Sequence, residues 1–386
     1  MIPDVRMQFR SRQRSKPGHR SRAARSALVP VLAPVMGSIA ALALVTSTLG
    51  CGSDDASGTL NVKRVLGETG IHPGQYRYPR GMDTFDMDGS PALAIVDKTS
   101  RIQLIDLSTG QSLGSLRTLK SDLGMPTGLT VAPFPGEPSG QALWVADTHN
   151  HQFIVYRLPF DHAGEPTAPD FAFGTYGYEP GQFIYPTDIA IHTPADGPTL
   201  VYISEYGGND RVSVFRIDTD SSGSRAPSMS FVRQIGISGV AMDAPEDDPA
   251  ALARPQSIAL RNDGRELVVV DAGRHRVVRF DTDTGEPIAW TLGRTDARGE
   301  PIEPMRFPYG LTLLDNDRAL VAEFGASIIR VLDLNTGATL MTRGSPGRDP
   351  GQIATPWAVA VIDGELVVLD SGNDRVQIAE WEGVTR

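Results

Sequence analysis

Along residues 255–293, short apolar runs alternate with small polar turns, a rhythm that recurs along most of the chain. The turn Pro255-Gln256-Ser257 leads into Ile258-Ala259-Leu260, and Asn262-Asp263-Gly264 leads into Leu267-Val268-Val269-Val270, which stops at Asp271. Ala272-Gly273-Arg274-His275 then introduces Arg276-Val277-Val278-Arg279-Phe280-Asp281, and Thr282-Asp283-Thr284-Gly285 introduces a last run through Ile288 to Gly293. Four β-branched-rich runs separated by Gly, Asn and Asp read as strands joined by hairpins, because those turn residues accept the positive φ that tight hairpins impose. The unit is one four-stranded antiparallel sheet.

A sheet of this kind cannot bury both of its faces alone, so further copies are expected. The opening signal recurs as Pro79-Arg80-Gly81, Pro126-Thr127-Gly128, Pro186-Thr187-Asp188, Pro308-Tyr309-Gly310 and Pro356-Trp357-Ala358. The acid that ends the second strand recurs as Asp97, Asp147, Glu205, Glu323 and Asp370. Third strands begin at Arg101, Gln152, Arg211, Ser327 and Arg375. Six repeats of about 40 to 50 residues predict an all-β fold, a six-bladed β-propeller in which each blade packs on its neighbours.

The residues from about Leu60 onward resemble NHL-repeat proteins, whose blades read roughly P-G-Q-F, P-x-G-I-A-V, V-Y-V-A-D and N-H-R-V-x-V-F. The first element stands here as Pro73-Gly74-Gln75-Tyr76, Pro180-Gly181-Gln182-Phe183 and Pro350-Gly351-Gln352-Ile353. The later ones stand as Trp144-Val145-Ala146-Asp147 with Asn150-His151-Gln152-Phe153, and as Asn209-Asp210-Arg211-Val212 and Asn373-Asp374-Arg375-Val376. WD40 repeats fit poorly, since no copy carries their Trp-Asp ending or Gly-His start.

Residues 1–50 read as an export signal: a basic run ends at Arg25 and no charge follows between Ala27 and Gly50. The only cysteine, Cys51, comes next and resembles the lipidated residue of a bacterial lipoprotein lipobox, although Thr48 stands where that family prefers Leu. The alternative is an uncleaved membrane-anchoring helix, for which the apolar run is long enough. The expected organisation is a signal peptide with lipobox over 1–50, a flexible tether over 51–59 and the propeller over 60–386. This places the protein in a bacterial cell envelope, anchored to the membrane through lipid and facing the periplasm or the cell surface. Removing residues 1–50, which carry eight of the 36 bases and one of the 46 acids, leaves 28 bases against 45 acids, a net charge of −17. A domain this acidic is repelled by phosphate backbones, which argues against the RNA binding of some NHL propellers.

The final repeat shows three strands, and Asn61-Val62-Lys63-Arg64-Val65-Leu66 stands alone before the first one. That segment is expected to supply the outer strand of the last blade, closing the ring between the chain ends. Loops are lengthened over residues 133–140, 159–169, 221–228, 237–253 and 294–306. Insertions in connections suit variable binding over a rigid scaffold. The between-blade connections and the second-to-third-strand turns open on one face of a propeller, the default functional face.

The repeated acids could form a cation ring, but each can instead accept backbone N–H bonds in its turn or pair with the Arg of the third strand. The run Asp281-Thr282-Asp283-Thr284-Gly285 resembles a calcium loop, yet lacks the remaining ligands and suits a hairpin turn. His151 and His275 hold equivalent positions, with Asp210 and Asp374 in two other blades. Two imidazoles and a carboxylate such as Asp374 make a weak metal candidate. No Gly-x-Ser-x-Gly, His-Glu-x-x-His or phosphate loop is present. Peptidyl-hydroxyglycine amidating lyases, which resemble NHL propellers, imply zinc-binding histidines at the middle positions of three Pro-x-small signals. Those positions hold Arg80, Thr127, Thr187, Gln256, Tyr309 and Trp357 here.

These six residues are expected to ring the mouth of the central channel, with Tyr309, Trp357 and Arg80 side by side once the ends are tied. Aromatic and cationic character is then expected on one side of the mouth only. Rings beside an Arg could stack on a peptide or sugar while Arg80 fixes a carboxylate. The reading favours a monomeric, non-enzymatic scaffold without a cofactor, binding a protein or a small-molecule or glycan ligand on the propeller's top face. The alternative is a metal-dependent lyase or hydrolase using His151 and His275.

Overall fold

The computed structural model describes residues 58–386 apart from 121, 123–124, 161–163, 219–226, 238–244, 246–247, 291–304, 382 and 384–386. The expected export signal, Cys51 and most of the tether lie outside the described residues, as do most of the insertions over 221–228, 237–253 and 294–306.

Six antiparallel sheets of four strands succeed one another as the blades of a β-propeller. In the fourth blade the strands are Pro255–Arg261, Glu266–Asp271, Arg276–Asp281 and Pro287–Trp290, in sheet order as in sequence order. The other blades repeat this meander, the last with three of its own strands: Ala358–Ile362, Glu365–Asp370 and Arg375–Glu380. Its fourth is Val62–Leu66, which pairs antiparallel with Arg375–Glu380 as the sequence led us to expect. The exposed edge of the final blade is thereby covered and the ring is tied shut.

The unbroken apolar runs of the second strands follow from this geometry. Leu267 and Val269 pack toward the third blade while Val268 and Val270 pack toward the fifth, so alternate side chains serve two different cores. One such core fills each of the six joints between neighbouring blades, for example Leu320 and Ala322 against Val359 and Leu366 between the fifth and sixth. A strand buried on both faces needs no polar alternation.

The Pro-Gly-Gln element and the large apolar residue after it have an equally local cause. Tyr76, Phe183 and Ile353 are buried plugs, and each sits against a glycine at positive φ: a Cβ on Gly67, Gly174 or Gly344 would come within 2.1, 2.7 or 2.4 Å of them. The preceding Gln folds back to accept backbone N–H bonds within the loop, from His72 to Gln75 at 3.1 Å and from Glu179 to Gln182 at 3.2 Å. One lengthened loop does more than extend a hairpin. Pro166–Thr167 leaves the second blade and adds a short parallel strand to Ser112–Thr118 of the first.

Candidate functional site at one mouth of the central channel

The innermost strands of the six blades line a central channel with a free volume of about 130 Å³. They lie too close together for side chains at every position. A Cβ on Gly81, Gly128 or Gly310 would stand 2.5, 2.2 or 2.5 Å from the carbonyl oxygen of Thr127, Thr187 or Trp357 on the next blade. This contact accounts for the small third residue of the Pro-x-small signal in these blades.

Hydrogen bonds then stitch blade to blade. The Thr127 hydroxyl donates to the Thr187 carbonyl at 3.0 Å, and the Thr187 hydroxyl donates to that of Pro255 at 2.8 Å. Asp83 accepts the N–H of Val131 at 2.7 Å, and Asp188 accepts the hydroxyl of Ser257 at 2.7 Å and the N–H of Ile258 at 3.0 Å. Burial pushes both carboxyls up to about 6, against the opposing pull of these donors. Neither has an ion-pair partner among the described residues.

At one mouth, aromatic rings and cations form a continuous belt. The Arg80 guanidinium lies over Trp357, 5.2 Å from the ring centroid, and over Tyr78 at 5.9 Å, with the Lys98 ammonium also 5.9 Å from Tyr78. Trp357 meets Tyr309 edge-on at 4.9 Å, and Tyr309 stacks on Phe324 at 4.4 Å. Across the mouth, Arg254 lies over Tyr206 at 4.9 Å and over Tyr309 at 5.7 Å, and Tyr185 and His149 continue the belt from Tyr206. Burial lowers the pKa of Arg80, Tyr78 opposes this, and nearby Arg254 lowers it further. His149 is likewise held below the usual imidazole range, by burial first and then by the Arg80 charge.

Arg80, Tyr309 and Trp357 are therefore brought together, with Trp357 half-buried and Tyr309 only 6% exposed. Two sequence expectations need correction. The aromatic and cationic character is not confined to one side, because Tyr185, Tyr206 and Arg254 carry it through the third and fourth blades. The rings of Trp357 and Tyr309 are also not bare stacking platforms, since each seats a guanidinium. Thr127 and Thr187 are buried between blades and bonded there, and Gln256 is largely buried in the channel wall.

The repeated acids do structural work. Asp271 pairs with Arg276 at 2.8 Å with both side chains fully buried, and accepts the N–H of Ala253 at 2.7 Å. Asp97 pairs with Arg101, Glu205 with Arg211 and Asp370 with Arg375. Glu323 reaches Arg330, further along its third strand than the expected position, and Asp147 takes amides from Gln152 and Asn150 instead. Asp281 accepts N–H bonds from Asp283 and Thr284 at 3.0 and 2.7 Å, which closes a hairpin turn.

His151, His275, Asp210 and Asp374 occupy separate joints between blades. His275 Nδ1 accepts the N–H of Phe307 at 3.1 Å, Asp210 that of Arg254 at 2.5 Å and Asp374 that of Tyr78 at 2.6 Å, while His151 Nδ1 meets the Ile184 carbonyl. Among the described residues no three His, Cys, Asp or Glu side chains are grouped to hold a metal ion. In three of these joints the bond holds the residue preceding the repeat's Pro in a left-handed conformation: φ is 47° at Tyr78, 60° at Arg254 and 46° at Phe307.

That conformation explains what the sequence reading missed. A residue before Pro is normally extended, so Tyr78 and Arg254 gave no sign of turning into the mouth. The available signal was positional: the residues on either side of each Pro and the one after each strand-ending acid supply Tyr78, Arg80, Lys98, Tyr185, Tyr206, Arg254, Tyr309 and Phe324. No protein-family model matches the chain. No curated protein matches it either.

Proposed function

We propose that this chain is an NHL-repeat propeller held in a bacterial cell envelope by lipid on Cys51, and that it acts as a scaffold that binds a partner or ligand without transforming it. The six-fold motif set supports the repeat type. The basic run, the uncharged stretch and the single cysteine that follows support the anchor. One observation carries the binding role: rigid blades gather Arg80, Tyr309 and Trp357, with Arg254 opposite, at one channel mouth. Large aromatics and Arg dominate recognition surfaces because they supply contact area and directed donors at little entropic cost.

Two measurements test the reading. Metabolic labelling with an acyl precursor should mark the protein, and Cys51→Ser should abolish the mark; a persisting label removes the anchor. Trp357→Ala combined with Arg80→Ala should abolish capture of the partner from envelope extract while the melting transition stays cooperative. Undiminished capture by the folded double variant removes the mouth as the binding face.

A further inference from the structure

The Arg80 and Arg254 guanidinium groups lie near enough at the channel mouth for the Arg254 charge to oppose protonation of Arg80. Among the described residues, neither Arg80 nor Arg254 takes part in an ion pair. Asp210, whose charge interacts with that of Arg254, directs its oxygens to the backbone N–H groups of Arg254 and Gly208 rather than to the guanidinium. Elsewhere in this protein buried arginines are matched to acids, as in the pairs Arg276–Asp271 and Arg211–Glu205. Arg80 and Arg254 are partly exposed, and the channel carboxyls Asp83 and Asp188 form no ion pair with either, so among the described residues neither guanidinium has an acidic partner of its own.

The unpartnered donors converge at the same place. The Nε atoms of Arg80 and Arg254, Nε2 of Gln256 and Nε1 of Trp357 are all buried without a hydrogen-bonding partner. Partnerless nitrogens also occur on Arg101 and Arg261, but those of Arg80, Gln256 and Trp357 belong to residues that line one channel, where together they point to an absent acceptor. The aromatic faces of Trp357, Tyr206 and Tyr309 hold the two guanidinium groups in place. An Arg held by its face directs its edge away from the ring, and that edge is a fork that matches the two oxygens of a carboxylate. Asp83 and Asp188 line the same channel and add negative charge, which disfavours a dianion such as phosphate over a monoanion.

We propose that this mouth is a receptor for a single carboxylate group, held between Arg80 and Arg254 with the side-chain nitrogens of Gln256 and Trp357 donating at its rim. The proposal rests on the reading of the mouth as the binding face and names the chemistry it recognises. A sugar acid or a peptide C-terminus would present the same group.

Calorimetric titration of the purified full-length chain separates these sources. The probes are acetate, glucuronate and a short peptide with a free C-terminus, set against glucose, the same peptide as its C-terminal amide, and inorganic phosphate. At least one carboxylate should bind at least tenfold more tightly than its neutral counterpart and than phosphate, and the one that does identifies the source. Arg254→Ala and Arg254→Lys should each weaken it at least tenfold, the Lys variant keeping the charge and the fold but losing the fork. Absence of carboxylate binding, equal binding of phosphate, or an Arg254→Lys variant that binds like the parent would each overturn the proposal. Partner capture that is lost in the Trp357→Ala, Arg80→Ala variant while no carboxylate binds defeats this proposal and spares the binding face. Carboxylate binding at Arg254 with undiminished capture does the reverse.

Discussion

The carboxylate of Asp374 in the last blade accepts the backbone N–H of Tyr78 in the first at 2.6 Å, and its second oxygen takes the Thr69 hydroxyl at 2.6 Å. This bond crosses the seam of the ring and holds Tyr78 at φ 47°, where its ring seats Arg80. Equivalent bonds, donated by the Arg254 N–H to Asp210 and by the Phe307 N–H to His275, hold the residue before Pro in two other joints. The composition of the mouth thus depends on the residue that follows the second-strand turn of the preceding blade.

Asp374→Ala should therefore lower stability by about 1.5–3 kcal/mol, the usual loss for a hydrogen bond to a charged group. It should also release Tyr78, read as a change in tyrosine and tryptophan fluorescence from the Tyr78, Arg80 and Trp357 cluster. A variant with the parent's melting temperature and emission spectrum contradicts this role.

Deleting residues 60–67 should destabilise the whole ring rather than one edge. Val62–Leu66 provides the outer strand of the last blade, and Arg64 ties it across the seam to the Leu107 carbonyl at 2.6 Å and within the last blade to Glu365 at 2.9 Å. The measurement is thermal unfolding by circular dichroism, with a fall of many degrees and a broader transition expected. An unchanged transition would mean that three strands suffice to close the last blade.

Arg276→Met should cost about 3–5 kcal/mol, because it strands Asp271 as an uncompensated charge in a fully buried position. Changing both Arg276 and Asp271 to apolar residues of similar size should recover much of that loss. Chemical denaturation of the single and double variants decides the matter; equal losses in the two would show that the pair's charge is not the issue.

The channel carboxyls give a pH dependence of definite sign. Asp83 and Asp188 titrate at about 6 in the folded protein, above the ordinary carboxyl value of about 3.9. Between those values the folded state binds more protons than the unfolded one. Their contribution to stability is fully present below about pH 4 and is lost as the pH rises through 6. The Asp83→Asn, Asp188→Asn variant should show a shallower decline in melting temperature between about pH 4 and pH 7 than the parent. Identical slopes would mean that these two groups do not titrate in that window.

Hydrophobic rhythm and turn chemistry by themselves determined the strands and the number of blades, because both depend on neighbours in sequence, and counting strands at the two chain ends then identified the one that closes the ring. Leu267-Val268-Val269-Val270 announces a strand buried on both faces wherever it is placed, and an unpaired Val62–Leu66 beside a three-stranded last repeat has one vacancy to fill. The acids' role was legible for the same reason, since Asp271 and Arg276 flank a single tight turn. The mouth was legible only in part. Arg80, Tyr309 and Trp357 could be placed side by side from their shared position in the repeat, but Arg254, Tyr185 and Tyr206 could not. Their approach depends on left-handed residues before Pro, on bonds received from the previous blade, and on where six inner strands converge. Those are relations between repeats, and only the closed ring brings them within contact distance.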